Sequence, residues 1–296
     1  MAAFTLAHLS DPHLPPLPAP RPAELLGKRA LGYLNWTRNR QNVHRRDVLD
    51  TLVSDMRAQV PDHIAITGDL VNLALEAEFA PSRAWLESVG TSEDVTVIPG
   101  NHDTYVGATQ HRFAESWRDY LAGDDARDGN IAFPLLRRRG PLALISVSSA
   151  VPTPPLMATG RLGPAQRDAL GRVLARLAAE QVFRVLLIHH PLRSDSRVKR
   201  LTDSSELLAL LKLHGAELVL HGHDHTHSTL WIDGPKGSIP VIGVPSASAI
   251  AHGRYPAAAY NLFAINRDGA AWRCAQTVRS IDERRRVLQV RHVQLI

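Results

Sequence analysis

The stretch VTVIPGNHD, Val95–Asp103, decides the fold. Its first four residues are apolar or β-branched, and Pro-Gly bounds them. Such a run reads as a short strand buried on both faces. Directly behind Gly100 stand Asn101, His102 and Asp103, which carry chemistry. Four other stretches share this form. Asp11 and His13 follow the apolar run Phe4–Leu9. Asp69 follows IAIT and Gly68. His189 and His190 follow Arg184–Ile188, and His223 and His225 follow LVLHG.

Between these runs lie helical patterns. Gln41–Gln59 places Val48, Leu49, Leu52, Val53 and Met56 at helical spacing. Further helices are expected over Glu76–Val89, Gln110–Leu121, from Gly163–Pro164 to about Glu180, and over Ser204–His214. Additional strands are expected at Ala132–Leu136 and Leu142–Val147. From Thr229 onward only strands and turns remain, with Asp233-Gly234 and Asp268-Gly269 as reversals. The pattern is a layered α/β architecture. In such sheets ligands bind beyond the carboxyl ends of the strands, so five polar groups far apart in sequence can share one pocket. No linker marks a boundary, and a single domain over residues 1–296 is expected. Leu14–Pro22 and Val151–Arg161 read as extended loops.

Composition narrows the chemistry. The 296 residues are 44% hydrophobic, enough for a large core, and the formal charge is +5, which suits an anionic ligand. The single cysteine, Cys274, excludes a disulfide framework and leaves no set of thiolate ligands. The opening MAAFTLAHLSD lacks a basic n-region, and no apolar run approaches the roughly 20 residues that span a bilayer. A cytoplasmic protein is expected, at most peripheral to the inner membrane.

The polar set is aspartate, histidine and an asparagine carbonyl. Imidazole and carboxylate together suit ions such as Mn, Fe or Zn. Seven candidate ligands exceed what one ion takes from a protein. Two ions sharing a carboxylate, about 3.5–4 Å apart, would use them. LHGHDHTHS, Leu220–Ser228, carries His221, His223, His225 and His227 on alternate residues, which a continuous strand would point to one face. Gly222 breaks that strand. His223 and His225 then belong to a loop, His221 packs beneath, and His227 either backs the site or is incidental.

In order along the chain these motifs read D-x-H, GD, GNH[DE], H and GHxH, from residue 11 to residue 225. The series resembles the calcineurin-like metallophosphoesterases. The resemblance implies a four-layer αββα sandwich with two mixed β-sheets. It implies that Asp11, His13 and His225 bind a first metal, that Asp69 bridges, and that Asn101, His189 and His223 bind a second. His102 would not be a ligand but would face the phosphate as general acid or transition-state stabiliser. The implied reaction is direct hydrolysis by a hydroxide held between the ions.

Two departures narrow the substrate. Protein Ser/Thr phosphatases of this superfamily carry GDxVDRG and RGNHE. Here the segments read GDLVNLA and PGNHD, with Asn72 and Pro99 at the altered positions. The version here looks more like the bacterial phosphodiesterases, including those for cyclic nucleotides. A small phosphodiester is therefore the expected substrate. The basic insertion at about 14–46 is weakly similar to that of UDP-2,3-diacylglucosamine pyrophosphatases, which act at the membrane in lipid A synthesis. That activity is the alternative. A nuclease is a lesser one, since no aromatic stacking platform is visible. A metal-free binding scaffold conflicts with the complete ligand set.

Within Arg21–Arg46, Leu25, Leu26, Ala30, Tyr33 and Leu34 form an apolar stripe flanked by Lys28, Arg29, Arg38 and Arg40. The expectation is a lid packed on the core with its arginines in water; contact with an anionic membrane surface is the other reading. His8 is expected in the core or backing the site. His44, His63, His111 and His214 are expected at the surface or in packing. His190 either backs the site or faces substrate. His252 and Arg254 either touch substrate or lie in a solvated loop, and Arg284–Arg286 is a solvated run.

Overall fold

A computed structural model describes residues 3–109, 111–124 and 131–296. The chain enters through β1 (Phe4–Leu9), crosses α1 (Lys28–Arg38) and α2 (Arg46–Ala58), and continues through β2 (His63–Ile66), α3 (Glu76–Val89) and β3 (Val95–Val97). Two short helices, α4 (Arg112–Ser116) and α5 (Arg118–Leu121), lead to a hairpin of β4 (Leu135–Arg139) and β5 (Leu142–Ser146). There follow α6 (Pro164–Ala178), β6 (Phe183–Leu187), α7 (Ser204–His214) and β7 (Leu218–His221). The remainder is β8 (Ser228–Gly234), β9 (Gly237–Gly243), β10 (Ala259–Asp268), β11 (Ala271–Ile281) and β12 (Val287–Gln294).

These strands make two six-stranded mixed sheets, ordered β12-β11-β10-β1-β2-β3 and β4-β5-β6-β7-β9-β8. In the first, β1, β2 and β3 run parallel and β10 pairs antiparallel with β1. In the second, β5, β6, β7 and β9 run parallel between antiparallel edges.

The layering follows from the two-residue period of a strand. Along β5, Leu142 and Leu144 face the opposite sheet, while Ala143 and Ile145 face the helices. In β7, Leu218 and Leu220 point inward and Val219 outward. In β1, Leu6 joins the inter-sheet core and Ala7 and Leu9 join the layer beneath α2 and α3. Both faces of each central strand are thus apolar. A fully buried leucine there contributes roughly 1.5–3 kcal/mol relative to exposure. The result is the four-layer αββα sandwich.

Three element boundaries differ from the sequence reading. Helix α2 begins at Arg46, not Gln41, because Arg40–Asn42 wind as a tight 3-10 turn and the Arg45 N–H bonds the Ser248 carbonyl at 2.8 Å. The helix expected over 110–121 is two short ones, broken at Trp117 (φ −112°), whose indole donates to Ser82 Oγ at 2.8 Å; Gln110 lies outside the described residues. The strand expected at 132–136 starts at Leu135, after Pro134, which has no N–H to give a ladder.

The inserted helix α1 docks differently from the expectation. Its inward residues are Arg29 and Trp36, both buried, with Gly32 between them. A Cβ at Gly32 would meet Tyr105 Oη at 2.5 Å and Leu73 Cδ2 at 2.6 Å, so the helix can sit this close only with glycine there. Arg29 Nε donates to the Leu73 carbonyl at 2.9 Å, and its Nη2 bonds the Ala74 carbonyl. Arg29 is therefore not in water. The leucines are: Leu26 is 73%, Leu31 48% and Leu34 43% exposed. Among the described residues no helix is long and apolar enough to cross a membrane.

Candidate metal centre

All five motif loops leave the carboxyl ends of β1, β2, β3, β6 and β7 on one edge of the sandwich. The turns that follow are unusually tight. Nine non-glycine residues have positive φ among the described residues, and five of them are Asp11, His13, Asp69, His223 and His225. Side chains rarely adopt this conformation, and it persists where the surroundings over-determine it. Backbone bonds between loops supply that constraint. Asp11 N–H donates to the Gly68 carbonyl (2.9 Å), His13 N–H to that of Asp69 (3.0 Å), and Gly222 N–H to that of His189 (3.1 Å). A Cβ on Gly222 would collide with Ser10 Oγ and Asp11 Oδ2, which explains the glycine that interrupts the histidine series.

Asp103 ties two of the loops together. Its carboxylate accepts N–H bonds from Asp69 (2.7 Å), Gly100 (2.7 Å) and Val71 (3.0 Å). Asp103 thus fixes the GD and GNHD turns against each other.

The seven candidate ligands converge. His13 Nε2 lies 3.2 Å from His225 Nε2, and His225 Nε2 lies 3.1 Å from Asp11 Oδ1. His189 Nε2 lies 3.1 Å from Asn101 Oδ1, which is 2.8 Å from His223 Nδ1. Asp69 Oδ2 stands between the two groups, 3.7 Å from His13 Nε2 and 3.4 Å from His189 Nε2. Neighbouring ligands on one ion with bonds near 2.1 Å are separated by about 3–3.5 Å, so these spacings suit two ions sharing Asp69.

The donor chemistry fits cations as well. Two imidazole nitrogens that face each other, as His13 Nε2 and His225 Nε2 do, can share only one proton. Burial holds His13 and His223 well below the ordinary histidine range, so both present lone pairs. Burial also opposes charge on His189, but the Asp69 carboxylate overcomes it and raises that imidazole to about 10. His189 Nδ1 is pinned by the Thr67 carbonyl at 2.6 Å, which directs Nε2 inward.

His102 sits at the mouth of the centre. Its backbone N–H donates to Asp69 Oδ1 (2.7 Å), and its ring Nδ1 donates to the Asn72 carbonyl (2.5 Å). That contact is with the Asn72 backbone; the Asn72 side chain donates instead through Nδ2 to the Leu14 carbonyl at 3.2 Å. Burial holds the imidazole down at about 4, against the pull of Asp69. Its Nε2 accepts from Arg40 Nη1 at 3.1 Å.

Two residues of the insertion were not singled out by sequence reasoning. Arg40 enters the site, and so does His44, which was expected at the surface or in packing. His44 is buried, its ring 4.7 Å from that of His13, with Nδ1 2.8 Å from Ser248 Oγ. Its ring is also close enough to group with His13 and His225 as a candidate cation site. Arg40 opens a 3-10 turn and His44 lies just past its end, a segment that no periodicity announces; its basic character was the only signal. The centre opens into a cleft of about 400 Å³ lined by Arg40, His44, His102, Lys199, His252 and Tyr255, among others.

The remaining histidines separate. His190 backs the site: Nδ1 bonds Ser149 Oγ (2.7 Å) and Nε2 bonds the Ala158 carbonyl (3.2 Å). His8 and His63 are core residues bonded to Thr67 and Thr96. His221 packs beneath, with Nε2 3.2 Å from Ser228 Oγ. His227 is exposed, outside the cleft. His252 lines the cleft, while Arg254 is exposed over the Tyr255 ring.

A family model described as calcineurin-like phosphoesterase matches residues 4–227, from β1 through the GHxH loop. The chain belongs to that family. Among solved structures, this phosphoesterase is similar to a dimetal phosphatase from Danio rerio, at 14% identity and TM-score 0.65, over 98% of this chain and 99% of that one. It is also similar to the purple acid phosphatase PPD1 from yellow lupin, at 11% identity and TM-score 0.57, over 94% of this chain and 52% of that one. GAP50, the anchor in the inner membrane complex of Plasmodium, matches at 12% identity and TM-score 0.56, over 100% and 89%. At these identities the likeness concerns the fold. No match is found among curated proteins.

Proposed function

We propose that this phosphoesterase is a metal-dependent phosphoric diester hydrolase. The observation that carries the reading is the position of Asp69 Oδ2 between two clusters of inward-facing donors. Asp11, His13, His225 and Asp69 would hold one divalent ion, and Asp69, Asn101, His189 and His223 a second. Ions there would supply Lewis-acid charge on the phosphoryl oxygens and a hydroxide nucleophile at neutral pH. Mn, Fe and Zn all suit the donor set. Asp103 and the tight turns keep the ligands in place before an ion arrives. His102 stands beside the reacting centre, its Nδ1 on the Asn72 carbonyl and its Nε2 accepting from Arg40.

The supporting experiment is metal content together with turnover of bis-p-nitrophenyl phosphate after loading with Mn, Fe or Zn. Two ions per chain and diesterase activity are expected. Activity in a stripped, metal-free protein would contradict the reading. A panel of cyclic AMP, a UDP-linked diacyl sugar and single-stranded DNA then orders the substrate classes, with the cyclic nucleotide as the small-diester representative.

A second reading draws on the surface around the mouth. Beside the centre lies a groove of about 510 Å³ lined by Leu31, Leu34, Leu156, Val198, Lys28 and Lys199, among others. Leu156 is 85% and Val198 45% exposed, in addition to Leu31 and Leu34. Clustered exposed apolar side chains mark binding surfaces. An amphiphilic phosphoester or phosphoanhydride would place its acyl part there and its phosphate at the centre. The substrate class would then be a nucleotide-linked lipid such as a UDP-diacylglucosamine, met at the surface of a membrane.

A further inference from the structure

Arg40 has an arrangement that the family motifs do not explain. It arises from the insertion, yet its guanidinium reaches the metal centre. Nη1 donates to His102 Nε2 at 3.1 Å, and Nη2 lies 3.4 Å from His44 Nε2. Both imidazoles are anchored from behind, His102 by the Asn72 carbonyl and His44 by Ser248 Oγ. The fork is therefore held from two sides by rings that cannot swing away.

The guanidinium lacks a counter-charge. Among the described residues no carboxylate forms an ion pair with it, and Asp69 and Asp11 act on it only at longer range. Two of its five donors are engaged, leaving three. A partly buried cation held only by neutral acceptors is left under-compensated unless an anion completes its shell. The open side faces the same cleft that the candidate ligands line.

We propose that Arg40 is a substrate-binding residue that donates to a non-bridging phosphoryl oxygen of the bound ester, with His102 and His44 as its positioning residues. The inference rests on the phosphoesterase reading and sharpens it. The inserted segment completes the anion site in addition to covering it. His102 in this geometry keeps its proton on Nδ1, pinned to Asn72, and its Nε2 lone pair on Arg40. Its contribution is then to aim a cation, in place of the general-acid role that the motif resemblance implied.

The test uses metal-loaded full-length protein and inorganic phosphate as the probe, measured by calorimetry alongside metal content. Arg40→Ala should weaken phosphate binding roughly 10- to 100-fold, the effect of losing a charge-assisted hydrogen bond, with two ions still bound. Arg40→Lys should recover part of that loss, and free guanidinium ion should partly rescue Arg40→Ala. His44→Gln should shift phosphate affinity in the same direction but less. Unchanged phosphate affinity in Arg40→Ala would overturn the proposal, and so would loss of the metals in that variant. Phosphate binding is read whether or not any diester turns over. A wild type that binds phosphate through Arg40 but hydrolyses no diester would therefore sink the hydrolase reading alone.

Discussion

The Asp103 carboxylate accepts the backbone N–H of Asp69 at 2.7 Å, so the proposed bridging ligand is held by a residue that would touch neither ion. Burial and then the Asp69 charge push Asp103 upward, to about 8, while three backbone donors favour its carboxylate. Outer partners of metal ligands typically change affinity 10- to 100-fold. Asp103→Ala is expected to weaken metal binding by about that factor and to destabilise the fold by about 1–3 kcal/mol per lost buried bond set. Chelator competition and urea unfolding measure the two effects. Wild-type metal affinity in a folded Asp103→Ala protein would show that the loops hold their shape without it.

The two proposed ion positions should separate by mutation. Asp69 is shared, whereas Asn101 belongs to one side. Asp69→Ala is expected to lower both occupancies and to reduce diester turnover by about 10³-fold or more, a loss of roughly 4 kcal/mol in barrier terms. Asn101→Ala should lose the ion beside His189 and His223 and keep the one beside His13 and His225. Metal per chain by elemental analysis checks this. Two ions retained in Asn101→Ala would remove Asn101 from the ligand set.

Far from the centre, Asp55 links α2 to the strands behind it. Arg279 donates two bonds to its carboxylate, both 2.7 Å, and Tyr260 Oη a third at 2.5 Å. Burial opposes the charge, but Arg279 and Tyr260 overcome it and hold Asp55 below the usual aspartate range. A depressed folded value means the stabilisation is present above the unfolded value, near 3.9, and is lost as pH falls through the folded one. Asp55→Asn should cost about 1–3 kcal/mol at pH 7, and its gap from wild type should narrow towards pH 3. Urea midpoints at the two pH values test this; a gap that stays constant would contradict it.

The parts of this molecule that were legible in the sequence share one property: each is a local pattern that the fold repeats. The apolar runs of β1, β2, β3, β6 and β7, with a turn and a polar residue behind each, expose both the strand and its carboxyl end. The α2 stripe from Val48 to Met56 is buried as its spacing predicts. What stayed hidden depends on approach and not on periodicity. Arg29 reads as a surface cation on a helix with leucines, yet Gly32 lets that helix settle so close that the guanidinium finds two carbonyls while the leucines face out. Arg40 lies in a 3-10 turn and His44 just past it, where neither a 3.6-residue nor a 2-residue period applies.

Those outward leucines carry the last prediction. Leu31 and Leu34 lie one helical turn apart on α1, beside Leu156 and Val198 across the groove, with Lys28, Arg38 and Lys199 among the groove's lining residues. Lys28 also ties α1 to the 151–161 loop through Thr153 Oγ1 at 2.6 Å and the Met157 carbonyl at 3.1 Å, so it bridges the two sides of the groove. Apolar side chains that enter a lipid phase gain roughly 0.8 kcal/mol per buried CH₂, and nearby cations add attraction to anionic headgroups. The full chain should therefore co-sediment with vesicles containing anionic phospholipid more than with neutral ones. The double substitution Leu31→Ser with Leu34→Ser should reduce that binding at least tenfold. It should leave turnover of a small water-soluble diester within about twofold, since neither side chain contacts the candidate ligands. Equal vesicle binding by the double variant would show that the exposed leucines serve neither a membrane nor an acyl chain, and would leave the small diester as the substrate class.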